Sequence, residues 1–273
     1  MLEGRSTPRV VVGIDGSQSA LDAALWAAEE AATVGMSLRL VNVIDSADQS
    51  RIDPQELSPR MSAAQVAVRS ALAAVESIEK RATIETDIVQ GRPVQALLEA
   101  AGSAVMLCVG TRGLKHATQG RIGSTAAALS NAARCPVVIV RAHRPHNNVN
   151  RAVLIEVDDT ARGGVVLRRG LEVARHRGAP VRVLAPSIQA DVRAQWQRRL
   201  AEWQRRFSDL DITAVSNQGD GLHYVKAHAD EIQLIVVSRD RRAGIDTFVG
   251  APGNAALRDS DCSIMVCEPH DAL

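Results

Sequence analysis

Residues 10–15 read VVVGID, and residues 153–158 read VLIEVD. A shift of 143 positions carries Asp15 onto Asp158, Ala31 onto Ala174 and Gly35 onto Gly178. Each of those glycines is followed by an apolar run, LRLVNVI at 38–44 and VRVLA at 181–185. One short strand matches by chance. A register held through a strand, a helix, a glycine stop and the next strand marks an internal repeat.

Outward from VVVGID, the first copy alternates regularly. Residues 9–14 form a continuous apolar strand. Ala20, Leu21, Ala24, Leu25, Ala28 and Ala31 recur at helical spacing, and Gly35 ends that helix. Residues 45–60 hold two prolines and scattered charge and predict a loop. Helical spacing returns over 61–80. A strand at 83–89 is followed by a helix from Pro93, a natural first-turn residue. MLCVG at 106–110 is a buried strand, 123–134 a small-residue helix, and PVVIVR at 136–141 the last strand.

The polar stretch AHRPHNNVN at 142–150 joins the copies. It predicts domains at 1–143 and 151–273 with a linker at 144–150. The second copy repeats the plan, with strands near 152–157, 181–185, 211–216, 233–238 and 263–268. Its helix at 189–207 carries Arg193, Arg198, Arg199, Arg205 and Arg206, a solvated face or else a surface for a partner or an acidic ligand. Alternating strands and helices with near-continuous apolar strands imply an α/β chain. It is expected to form two tandem open parallel five-stranded sheets with helices on both faces. The last strands, 136–141 and 263–268, are apolar and expected at sheet edges, which seek partners.

Composition narrows the function. Apolar residues are 46% and charged residues 23% of 273, a globular balance, and aromatics are only 2%, so Ala, Val, Leu and Ile must fill the core. A net charge of +1 argues against a chain built for nucleic acid or an anionic membrane. No stretch approaches the roughly 20 apolar residues of a membrane span. MLEGRSTPR at the start is polar, without a signal-peptide apolar region, so a cytoplasmic location is expected. Cys108, Cys135, Cys262 and Cys267 form no C-x-x-C pair and read as buried thiols.

Ligands of open parallel sheets sit beyond the carboxyl ends of the strands. Two such ends are equipped in the first copy. Gly13 and Asp15 close the first strand, and Ser17 is a candidate N-cap for the helix that follows. Asp15 is the candidate partner of a ribose hydroxyl or Mg²⁺, or else it only shapes the turn. The second end is GTRGLKHATQGRIGST at 110–125. Glycines there let backbone N–H groups approach a phosphate, and a helix opening at Gly123, Ser124 and Thr125 adds free donors and a positive dipole end. Arg112, Lys115 and Arg121 offer positive charge. The spacing is neither a Walker A nor G-x-G-x-x-G.

The spacing Gly110, Gly113, Gly123-Ser124 is G-x2-G-x9-G-[ST], and with VVGIDGS and the GRP at 91–93 it resembles the universal stress protein family. The resemblance covers essentially the whole chain. It is strongest to tandem two-domain members of mycobacteria, several of which belong to hypoxia or dormancy responses. It implies a Rossmann-like fold of the adenine nucleotide alpha hydrolase type, with ATP as ligand. By that resemblance Asp15 meets the ribose or metal side of ATP, and the Val41 backbone meets the adenine. Gly110 lies by the ribose, and Gly113, Gly123, Ser124 and Thr125 cradle the phosphates. In the family the last strands pair across a dimer. This chain is therefore expected to build that pair internally, with a homodimer or a protein partner left open.

The second copy departs from the pattern. Ser238 and Arg241 stand where the first two loop glycines should be, Ala251 replaces Ser124, and Pro252 removes a donor. Glu156 replaces Gly13, and a carboxylate there is expected to repel a polyphosphate. One nucleotide per chain is the expectation. Two other readings stay open: an ATP-hydrolysing or adenylyl-transferring enzyme of the related superfamily, or a nucleotide-free scaffold. The SGG-x-D-S loop of adenylating relatives is absent, and His116 is the single candidate base.

Overall fold

The computed structural model describes residues 8–46, 54–78, 83–113, 122–143, 150–157, 163–184, 190–215, 221–241, 244–257 and 260–267. They fall into two compact units that divide after His143, except that Ile122 groups with the second.

The first unit runs β1 (Arg9–Gly13), α1 (Gln18–Val34), β2 (Ser37–Asp45), α2 (Pro54–Ile78), β3 (Ile84–Gly91), α3 (Pro93–Ala100), β4 (Met106–Gly110), α4 (Ser124–Ala132) and β5 (Val137–Val140). Its strands lie in the order β3-β2-β1-β4-β5, every pair parallel. Apolar runs become strands buried on both faces: Val10, Val11 and Val12 are fully enclosed. α1 turns Ala23, Ala24, Ala27, Ala28 and Ala31 inward. Side chains this small let the helix lie close on β1 and β4. Gly35, at φ +67°, ends it in the left-handed cap that glycine adopts without strain.

One local expectation differs. The predicted loop at 45–60 already becomes helix at Pro54, and Pro59 lies inside α2. Proline suits a first helical position. The inward stripe Ala64, Val68, Ala71 and Val75 then carries the helix across the second proline.

The second unit runs β6 (Ala152–Glu156), α5 (Gly163–Arg177), β7 (Val181–Leu184), α6 (Ala190–Arg206), β8 (Ile212–Val215), α7 (Gly221–Ala227), β9 (Ile232–Ser238), α8 (Asp246–Val249), α9 (Ala251–Ala256) and β10 (Ser263–Cys267). Its strand order, β8-β7-β6-β9-β10, repeats that of the first, again all parallel. On α6, Arg198, Arg205 and Arg206 are exposed, while Trp196 and Leu200 turn inward. The Arg199 and Arg206 guanidinium groups lie 5.9 and 5.4 Å from the Trp196 and Trp203 ring centres. All four cysteines are buried and unbridged.

The order decides where a ligand can sit. The chain first builds outward from β1 through β2 to β3, then returns to lay β4 on the other side of β1. Such a reversal opens a crevice at the carboxyl ends of the two central strands. In the first unit these are β1 and β4; in the second, β6 and β9.

Candidate functional site

The first unit brings Gly13, Asp15, Gly110 and Gly113 together at its switch point. The turn after β1 is held from β2. Ile14 N–H donates to the Val41 carbonyl at 2.8 Å, and the buried Asn42 amide donates to the Ile14 carbonyl at 2.8 Å. The next residue, Asp15, is thereby aimed out of the sheet end, where it is exposed. Asp15 Oδ1 accepts from Ser17 N–H at 2.9 Å, so one oxygen does shape the turn. Oδ2 faces the glycine loop, since a Cβ built on Gly113 would lie 2.6 Å from it.

Ser17 is the N-cap of α1, accepting from Ala20 N–H at 3.2 Å. The helix start then clamps the loop. Ser17 Oγ donates to the Arg112 carbonyl at 3.0 Å, and Ser19 Oγ donates to the same oxygen at 2.5 Å. Arg112 N–H donates back to Ser19 Oγ at 3.3 Å. This close approach is what Gly110 permits: a Cβ there would lie 2.5 Å from the Ser19 carbonyl carbon. At Gly13, a Cβ would press on Leu97 and Val109 side chains at 3.2 and 3.3 Å.

The mouth of the loop is pinned. Thr111 N–H donates to the Val140 carbonyl at 3.1 Å, and Gly123 N–H donates to the Thr111 carbonyl at 2.7 Å. Gly123 is the N-cap of α4 in extended conformation, and no side chain caps that helix start. The first bond of the helix runs from Ala127 N–H to the Gly123 carbonyl at 3.1 Å, so the N–H groups of Ser124, Thr125 and Ala126 have no partner within α4. Ser124 is exposed and Thr125 half-buried. Lys115, His116 and Arg121, together with Asp158 of the second copy, lie outside the described residues.

Val41 is fully enclosed in β2, with its carbonyl committed to Ile14. The β1–β2 register ends at Gly13–Val41. Val43 points its backbone to the same side as Val41 but lies past the end of β1, and it is half-exposed. Sequence reasoning passed over Val43, Asn42 and Ser19. A serine two residues inside an N-cap serine was the available signal for Ser19. Nothing local distinguished Asn42 or Val43 from strand filler. Among the described residues, no group of three or more metal-binding side chains is assembled.

Residues 7–141 match the sequence model of the universal stress protein family. A universal stress protein of Mycobacterium tuberculosis is 37% identical over 273 residues, spanning 97% of this chain and 98% of the relative. Another from that organism is 30% identical over 273 residues, spanning 97% and 99%. Among solved structures, a universal stress protein from Archaeoglobus fulgidus matches with a TM-score of 0.77 over 97% of each chain, at 16% identity, a likeness of fold.

Proposed function

The chain belongs to the universal stress protein family, and on that premise we propose that its first unit binds one ATP across the ends of β1 and β4. The observation that carries this reading is the pinned glycine loop: Gly123 N–H closes its mouth on Thr111, and Asp15 Oδ2 faces Gly113. The phosphates lie on Gly113 and on the start of α4, where Gly123 offers close approach without a side chain and the N–H groups of Ser124 and Thr125, with the helix dipole, favour an anion. Gly13, Gly110 and Asp15 flank the ribose. Asp15 also holds Mg²⁺, which typically takes one or two carboxylates and completes its shell with phosphate oxygens and water. The adenine edge needs a donor and an acceptor side by side. Val41 lines that strand, and Val43, beyond the end of β1, supplies the pair.

The role is regulatory. Nucleotide occupancy biases a surface read by a protein partner or a second copy of the chain, in a stress, hypoxia or dormancy response of the kind the resemblance implies. Hydrolysis is slow or absent. The domain division at 143 to 151 and a cytoplasmic location belong to the same proposal.

The test is direct. Purified protein is denatured and the supernatant chromatographed, and the stripped protein is titrated with MgATP. ATP should be recovered from the native chain and lost in Gly113→Ala and Asp15→Glu. No released nucleotide and no titration signal refutes ATP binding. Turnover above roughly 1 s⁻¹ would instead mark an enzyme.

A further inference from the structure

The second unit has the same switch point, between β6 and β9, and its two departures from the first copy meet there. Glu156 stands where the first unit has Gly13, and Arg241 where it has Gly113. They are 85 positions apart in sequence and in direct contact. Glu156 Oε1 accepts from Arg241 Nη2 at 2.5 Å and from Nε at 3.0 Å. Glu156 Oε2 accepts from the backbone N–H of Gly221, the first residue of α7, at 2.8 Å. Gly221 makes room for that carboxylate, since a Cβ there would run into it.

Arg241 also organises the segment that replaces the glycine loop. Its Nη1 donates to the Gly244 carbonyl at 3.2 Å and to Thr247 Oγ1, and Thr247 Oγ1 donates to Gly244 O at 2.9 Å. The guanidinium carbon lies 4.6 Å from the centre of the fully buried Phe248 ring. The Arg241 side chain is 6% exposed and that of Glu156 18%. A buried ion pair is stable only as a pair, because removing one partner strands the other charge away from water. Here the carboxylate does for the Gly221 N–H and the Arg241 guanidinium what a phosphate would do.

We propose that Glu156 and Arg241 are one device: an internal ion pair that stands in for a ligand, fills the strand-end site of the second unit, and holds α8 and α9 folded without nucleotide. This deepens the one-ATP reading above and partly rests on it. Glu156 excludes polyphosphate not by repulsion, as the sequence suggested, because its charge is matched by Arg241. It excludes it by occupying the space and committing the donors.

Hydrogen–deuterium exchange on the full chain tests this, with and without saturating MgATP, in the natural protein, Glu156→Gln, Arg241→Gln and the double variant. In the natural protein the amides of 244–257 should be protected before ATP is added and unchanged after it. Each single variant should speed their exchange about tenfold or more. The double variant should be no faster than either single one, because residues of one network do not add. Protection of 106–110 serves as the internal check that the chain is folded. If the Gln variants lose it, Arg241→Lys keeps the charge but not the two-pronged contact, and should loosen 244–257 alone. Protection of 244–257 by ATP in the natural protein, additive effects of the two substitutions, or natural protection in Arg241→Lys overturns the proposal. Failure of the first-unit reading looks different: ATP then leaves 111–126 unprotected, while the Glu156 and Arg241 effects remain.

Discussion

Alanine placed in turn at Gly110, Gly113 and Gly123 should give three different outcomes, although all three glycines belong to one motif. At Gly110 the new Cβ lies 2.5 Å from the Ser19 carbonyl carbon and 2.6 Å from its oxygen. Both sides of that contact are backbone, so the end of β4 and the first turn of α1 must part by about 1 Å to reach ordinary contact. Overpacking of this kind costs about 1–3 kcal/mol. At about 2–4 °C per kcal/mol for a chain of this size, the melting midpoint should fall by several degrees. At Gly113 the Cβ lies 2.6 Å from Asp15 Oδ2, the tip of an exposed side chain that swings aside. The fold should lose under about 1 kcal/mol, but the displaced carboxylate should weaken MgATP binding about tenfold, equivalent to about 1.4 kcal/mol. At Gly123, φ is −69° and the Cβ would sit 3.5 Å from the Thr111 carbonyl, an ordinary contact. That variant should lose no more than about 1 kcal/mol, the part by which glycine is a better N-cap than alanine. Thermal unfolding by circular dichroism and titration calorimetry with MgATP separate the three. Gly110→Ala melting with the natural protein, or Gly123→Ala melting several degrees below it, would refute the reasoning.

Three further outcomes are expected. Ser19→Ala removes the clamp on Arg112 and should cost about 1 kcal/mol of stability, with weaker MgATP binding; unchanged binding would show that the clamp does not aim the loop. Asn42→Leu leaves the Ile14 carbonyl without its buried donor and should cost about 1–3 kcal/mol in urea unfolding, whereas a neutral result would mean the turn after β1 holds itself. Burial pushes the Cys135 thiol from 9.0 up to about 11. The folded chain therefore keeps a proton that the unfolded chain releases, so the stabilisation is complete below pH 9 and is lost as pH rises towards 11. Over that range the natural protein should lose about 2–3 kcal/mol more than Cys135→Ala; equal losses in urea titrations across pH 8–11 would contradict this.

Much of the architecture was legible because its signals are local. Continuous apolar runs, alanine at helical spacing and the glycine at 35 report on burial and backbone conformation within a few residues. The prolines at 54 and 59 misled for the complementary reason. They speak for a loop locally, but a buried stripe further along the same helix outweighs them. The glycine spacing likewise marked the candidate loop, because close backbone approach leaves its trace in the residues themselves. It did not say what each glycine approaches.

The sequence by itself determined the repeat, the alternation of strand and helix, and the asymmetry between the two loops. Those follow from periodicity and from residues that lack a Cβ or an N–H. Only the tertiary structure decided partnership. It set Ser19 of α1 against Gly110 and Arg112, left Val43 beyond the end of β1, and joined Glu156 to Arg241. Each of these depends on which strand ends the parallel crossovers bring side by side. Two residues read in sequence as separate losses are, in space, one neutral pair.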